Sequence, residues 1–208
     1  MGMTPVTNYI LVKPFPSDLI KVGDDNLYFV TPNEEKGAMV RGMVKGVCDF
    51  LDFEDINFEW ETEIEVMVGD EIVFNYLAAG SAIKQFKQYE VDGEMCLLIH
   101  YSNIYALKRD GEVIPVNGYC LLEPIEEMKG FEDMVESKEN AMIGKVVYKG
   151  LPCKSYKHYP NHLSDDRVKV GDMVAFTRFR NLRLEYLEQF IEQKLFRVQD
   201  VHIHAILK

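Results

Sequence analysis

Val66-Met67-Val68-Gly69-Asp70-Glu71-Ile72-Val73-Phe74 is answered further along the chain by Val168-Lys169-Val170-Gly171-Asp172-Met173-Val174-Ala175-Phe176. In each copy a Val-Gly-Asp turn feeds a short apolar run, the pattern of a tight turn entering a buried strand. Three more signals recur around it. Asn8-Tyr-Ile-Leu-Val-Lys-Pro14 returns as Asn117-Gly-Tyr-Cys-Leu-Leu-Glu-Pro124. Arg41-Gly-Met-Val-Lys-Gly-Val47 returns loosely as Ile143-Gly-Lys-Val-Val-Tyr-Lys-Gly150, and Ile104-Tyr-Ala-Leu-Lys108 as His204-Ala-Ile-Leu-Lys208. The span from glycine to Gly-Asp is 27 residues in both halves, Gly42 to Gly69 and Gly144 to Gly171. Four signals in one order predict an all-β chain made by duplication, with units at residues 1–110 and 111–208.

Composition sets bounds on function. The chain has 208 residues and a formal net charge of −11. Residues 1–110 carry 19 acidic and 9 basic side chains, against 15 and 14 in residues 111–208. Such an acidic protein repels nucleic-acid phosphates and anionic membranes, so neither is an expected partner. No apolar run reaches the roughly 18 residues of a membrane span, and the first residues lack a basic-then-apolar secretory pattern. A cytoplasmic location is expected, with Cys48, Cys96, Cys120 and Cys153 as reduced, mostly buried thiols.

Tyr9 to Val12, Met39 to Val47, Ile72 to Phe74 and Ile104 to Leu107 read as strands of the first unit. Gln85 to Ile99 reads as a hairpin turning at Asp92-Gly93. Residues 14–38, rich in Pro, Gly and charge, read as a long loop, and unstructured loops of that length are usually functional or disordered. The equivalent loop in the second unit, residues 126–142, is shorter by 8 residues, from the spacing of Pro14 to Gly42 against Pro124 to Gly144. Residues 48–66 interleave eight acids with Phe50, Phe53, Phe58 and Trp60 and are expected to form a hairpin with a solvated acidic face. Arg109-Asp110-Gly111-Glu112 reads as a polar connector. Leu182 to Phe190 reads as two strands and a turn.

The first unit, from Tyr9 to Lys108, resembles the GroES-type co-chaperonin family. The likeness rests on the ordered set Val12-Lys13-Pro14, a long polar loop with an apolar tripeptide, Arg41-Gly-Met-Val, Val68-Gly-Asp-Glu-Ile-Val-Phe-Asn75, Glu90-Val-Asp-Gly-Glu-Met-Cys-Leu-Leu-Ile99 and Asn103-Ile-Tyr-Ala-Leu107. The second unit matches more loosely. In being tandem, the chain is similar to the plastid co-chaperonins. The resemblance implies two tandem GroES-like irregular antiparallel β-barrels. It implies self-association into a ring or a smaller oligomer, and a mobile loop that docks on an ATP-dependent chaperonin. It places the loop's apolar tripeptide at Tyr28, Phe29 and Val30. In the second unit the matching candidates are Phe131, Met134 and Val135. Two aromatics stand where the family has small aliphatics. The function implied is a non-enzymatic lid acting with the chaperonin in protein folding, without a cofactor of its own. The alternative is a GroES-fold structural or assembly module that no longer binds a standard chaperonin.

Other chemistry has thin support. Cys153, His158 and His162 lie near one another in sequence, and His202 and His204 are placed on one face of a strand. Structural zinc needs four such ligands at closer-set spacing, so no metal site is expected. There is no G-x-G-x-x-G, no phosphate-binding G-x-x-x-x-G-K-[ST], no H-E-x-x-H and no G-x-S-x-G. The expectation is that the chain is not an enzyme.

Overall fold

The computed structural model describes residues 3–15, 20–22, 27–29, 39–75, 77–78, 87–125, 141–159, 167–177, 190–191, 193 and 195–207. They form antiparallel β-structure. The strands are β1 (Tyr9–Pro14), β2 (Ile20–Val22), β3 (Leu27–Phe29), β4 (Met39–Val47), β5 (Trp60–Glu61), β6 (Glu71–Asn75), β7 (Gln88–Val91), β8 (Glu94–His100), β9 (Ile104–Arg109) and β10 (Glu112–Pro115). The second half holds β11 (Tyr119–Pro124), β12 (Ala141–Lys149), β13 (Ser155–Tyr156), β14 (Met173–Thr177), β15 (Phe196–Gln199) and β16 (Ile203–Leu207).

The duplication extends to topology. One sheet runs β10-β9-β6-β4-β1-β8-β7 and the other β15-β11-β12-β14-β16. Taken from β9 to β8 and from β16 to β15, the matching strands stand in the same order. Even the irregularities correspond. The ladder between β1 and β4 slips between Leu11 and Val12, and that between β11 and β12 slips between Leu121 and Leu122. The pairing of β6 with β9 passes over Tyr105, and that of β14 with β16 passes over His204. A bulge re-aims the side chain it carries, so both residues leave the regular alternation of their strands. Both sheets are open ladders among the described residues.

The Val-Gly-Asp repeat has a physical cause. Gly69 and Gly171 adopt φ of 96° and 97°, a left-handed conformation that suits glycine. The following aspartate closes the turn: Asp70 Oδ2 accepts from Met67 N at 2.7 Å, and Asp172 Oδ2 from Lys169 N at 2.8 Å. The turn is then tied to the sheet. Gly69 N donates to Val44 O and Val44 N to Asp70 O, matched by Gly171, Val146 and Asp172 in the second half.

Gly42 is required for a different reason. A Cβ there would stand 2.5 Å from Val12 Cγ1 and 2.7 Å from Lys13 O, both on β1. At Gly144 the matching distances are 3.0 Å to Leu122 Cβ and 3.1 Å to Glu123 O. Gly42→Ala should therefore cost about 2 kcal/mol of stability, an overpacking cost, and Gly144→Ala distinctly less. Urea unfolding of the two variants checks this. Equal costs would mean that β1 shifts freely to admit a methyl group.

Each half has its own core. Ile10, Val12, Val44, Phe58, Ile72, Phe74, Leu97 and Ile104 are among those filling the first, and Cys120, Leu122, Val146, Val174, Phe176, Phe196 and Val198 the second. The β7–β8 hairpin turns at Asp92 and Gly93, with φ of 51° and 78°. Both positive values fit the type I′ turn that matches strand twist.

Two expectations are corrected. Arg109 to Glu112 is not a connector. Asp110 and Gly111, at φ 51° and 86°, make a second tight hairpin that folds β10 back along β9, so the second half begins inside the first sheet. Residues 48–66 do not close on themselves as a hairpin. Their only strand, β5, pairs with β13 of the other half. The alternation of acids and aromatics is real, but its cause is a wedge between the halves. Phe58 fills the first core, Trp60 is buried against the second half, and Phe50 is 55% exposed. The reading of Leu182 to Phe190 falls almost wholly outside the described residues.

Candidate functional site

Two features stand out: the loop between β1 and β4, and the joint between the halves. The loop has a fixed root. Phe15 N donates to Arg41 O at 3.0 Å, and the Arg41 guanidinium lies over the Phe15 ring at 5.5 Å. The same root bond recurs in the second half, from Ile125 N to Ile143 O at 3.3 Å. Beyond the root, the first loop is not featureless. Strands β2 and β3 pair as a small hairpin, with Lys21 opposite Tyr28 and Ile20 opposite Phe29. Tyr28 and Phe29 thus end β3. Val30 and the candidates Phe131, Met134 and Val135 lie outside the described residues.

The joint was not foreseen as a site. At its centre is Asn117, fully buried, with φ of 57°. Its Oδ1 accepts from Trp60 Nε1 at 3.2 Å, and its Nδ2 donates to Tyr101 O at 3.1 Å and Ile104 O at 2.9 Å. Its backbone N donates to Glu65 Oε2 at 3.1 Å, and its O accepts from Gln199 Nε2 at 3.1 Å. One asparagine therefore ties three segments of the first half to the second. Asparagine suits the position because it tolerates left-handed backbone and both donates and accepts.

Around Asn117 the joint is apolar. Val73, Tyr105, Ala106 and Val113 of the first sheet pack on Tyr119 and Leu121 of the second, with Phe190 and Leu195. Val116 is fully buried and belongs to the core of the first half. Arg197 closes one side. Its guanidinium lies 3.5 Å over the Tyr105 ring and 5.3 Å from that of Tyr119, and its Nη1 donates to the Tyr119 hydroxyl at 3.2 Å. Arginine stacks on aromatic faces at modest desolvation cost, which makes it a suitable clasp.

On the other side the acidic segment meets basic residues. Lys154 N donates to Glu61 O and Lys157 N to Glu59 O, each at 2.8 Å, extending the β5–β13 ladder. Lys154 Nζ lies 2.9 Å from Glu63, and Lys157 Nζ donates to Asp55 O at 3.3 Å. Burial pushes the carboxyl of Glu65 up to about 7, while the Asn117 and Leu151 N–H groups pull the other way.

Among the described residues the cysteine and histidine side chains do not converge. Cys153 is buried beside Trp60 and Tyr156, and burial pushes its thiol up to about 12. All four cysteines are buried and free. His202 ends a buried 3-10 turn whereas His204 is exposed on β16, so the bulge parts the two imidazoles placed on one face. His162 lies outside the described residues. Among the described residues no three His, Cys, Asp or Glu side chains stand close enough to hold a metal ion, and no helix is long and apolar enough to cross a membrane. Compared with known proteins, the chain matches no family model and no curated protein.

Proposed function

We propose that the chain is a co-chaperonin-like protein. It is two tandem GroES-like units forming a non-enzymatic cytoplasmic lid that caps or regulates an ATP-dependent chaperonin. What supports this most is the repeated plan itself: two sheets of matching strand order, each with a long connection leaving at the same corner from a bonded root. In the first, the connection carries Tyr28 and Phe29 on a short hairpin, followed by Val30. A few apolar side chains on a polar loop give binding that is useful yet reversible, because ordering the loop offsets part of the contact energy. ATP hydrolysis belongs to the partner.

A second reading is a GroES-fold assembly module without chaperonin binding. The aromatic pair at Tyr28-Phe29 and its place in a paired hairpin favour it, since a groove shaped for small aliphatics rejects two aromatic rings. Binding to a purified chaperonin with and without ATP separates the two. The expected result is ATP-dependent binding that a Tyr28→Ser/Phe29→Ser/Val30→Ser variant loses by at least about tenfold, as for removal of hot-spot side chains. Absence of binding by the natural sequence, to a standard chaperonin and to one from the same source, overturns the first reading in favour of the second.

A further inference from the structure

The joint depends on a dipeptide that is chemically labile. Asn117 is followed by Gly118, and no other asparagine of the chain precedes a glycine. In such a pair the glycine nitrogen can attack Cγ of the asparagine, because no side chain shields that nitrogen and the glycine backbone reaches the angles required. The N–Cγ bond forms, the glycine nitrogen gives up its proton, and the side-chain nitrogen leaves as ammonia. Water then opens the cyclic imide at one of its two carbonyls, giving aspartate or isoaspartate. The balance needs no reagent besides water.

The fold dictates this pair and also shields it. A Cβ at position 118 would stand 2.6 Å from Cys153 Sγ and 2.7 Å from Tyr156 OH, and φ there is 70°, so glycine is required. Position 117, at φ 57°, needs a side chain that both accepts from Trp60 and donates to two carbonyls. In the closed joint the Asn117 amide is held by Trp60 Nε1, Tyr101 O and Ile104 O, without access to water. To bring its Cγ against Gly118 N, the side chain must leave these bonds. Asn8 offers an internal contrast. It too is buried at positive φ, with Nδ2 bonded to Asp52 O and Asp55 Oδ2. Tyr9 follows it, however, and a bulky side chain hinders the attack.

We propose that Asn117-Gly118 is a deamidation site gated by the joint: it reacts in chains whose halves have parted, and its product keeps them parted. The rate then follows the fraction of chains that are open. Aspartate at position 117 faces Tyr101 O and Ile104 O with no N–H to donate, and it buries an unpaired charge between them. Isoaspartate routes the main chain through Cγ, which adds a carbon to the backbone and displaces Gly118 from its tight seat beside Cys153. Either product marks a chain that has opened, without return to the amide. The site lies away from the loop between β1 and β4, and it holds or fails separately from chaperonin binding.

Ageing the full chain in mildly alkaline buffer, with and without urea, tests the proposal. Mass spectrometry of the peptide carrying Asn117 and Gly118 follows the conversion of amide to acid. Asp92-Gly93 and Asp110-Gly111 can form the same imide, but their reopening changes neither mass nor charge. In urea Asn117 should convert faster than any other asparagine, Asn8 included, and without urea it should persist. Trp60→Phe, shown to be folded by circular dichroism, should speed the reaction in native buffer at least about tenfold, because it removes one of the bonds that hold the amide, and should leave the rate in urea unchanged. The converted natural chain, separated by its added negative charge and returned to native buffer, should keep the Trp60 emission of an open joint, as should Asn117→Asp. Equal rates with and without urea overturn the proposal, as does a failure of Asn117 to react first in urea. So does an unaltered native rate in Trp60→Phe, or a converted chain whose Trp60 emission returns to that of the closed joint.

Discussion

Asn117→Ala is expected to lower the free energy of unfolding by about 3 kcal/mol, a large effect for the loss of one small side chain. The substitution removes the acceptor for Trp60 Nε1 and the donor to Tyr101 O and Ile104 O, at a position with no access to water. An orphaned buried donor costs about 1–3 kcal/mol. Alanine at φ 57° adds about 1 kcal/mol, because its Cβ crowds the following carbonyl. Trp60 is the single tryptophan and sits in the joint, so its emission reports the loss directly. The two side chains should be energetically coupled. Trp60→Phe removes the same bond from the other side, so the double variant should cost about 1 kcal/mol less than the sum of the singles. Strict additivity, measured by urea unfolding followed by circular dichroism, would show that the Trp60–Asn117 bond contributes nothing.

Much of the fold was legible because its signals are local. Val-Gly-Asp makes the same turn in both halves, since glycine takes the left-handed corner and the aspartate closes it. Asp92-Gly93 likewise encodes a hairpin within two residues. Asp110-Gly111 carries the same code, and went unread because the strands on either side seemed to belong to different units. The acidic segment was misread for a related reason. Alternation shows that one face is buried, but not what buries it, and here the partner strand is Ser155–Tyr156, far away in sequence. Nothing near Asn117 distinguishes it from a surface turn asparagine. Its role depends on Trp60, Glu65, Tyr101 and Gln199 arriving from elsewhere.

The chain's charge asymmetry gains a meaning from the joint. The backbones of Lys154 and Lys157 in the second half bond those of Glu61 and Glu59 in the first, which sets Lys154 Nζ 2.9 Å from Glu63. By the shared glycine spacing, the positions matching Lys154 and Lys157 in the first half are Asp52 and Asp55. The complementary pairing therefore exists once per chain, between halves that are already tethered. Opposite charges across an interface favour one partner and register over others. Here they favour closing the halves on each other over closing either half on a copy of itself.

Glu65→Gln should stabilise the protein at pH 8 and do little at pH 5. Glu65 is half-buried at the joint, beside Glu63, and its carboxyl is pushed from the ordinary 4.5 up to about 7 by burial. The folded protein thus holds a proton that the unfolded chain releases between about pH 4.5 and 7. More protons bound in the folded state means that stability falls as pH rises through this window and levels off above it. The loss should be about 1–2 kcal/mol, since the carboxylate keeps some water and accepts from Asn117 N. Glutamine presents the same acceptor oxygen to that N–H without a charge, so the variant should lack this slope. Urea unfolding of both proteins at several pH values separates the curves. A Glu65→Gln effect of the same size at pH 5 and pH 8 would mean that ionisation of Glu65 does not load the joint. The opposite slope would mean that its charge is welcome there, as the two N–H groups alone would have it.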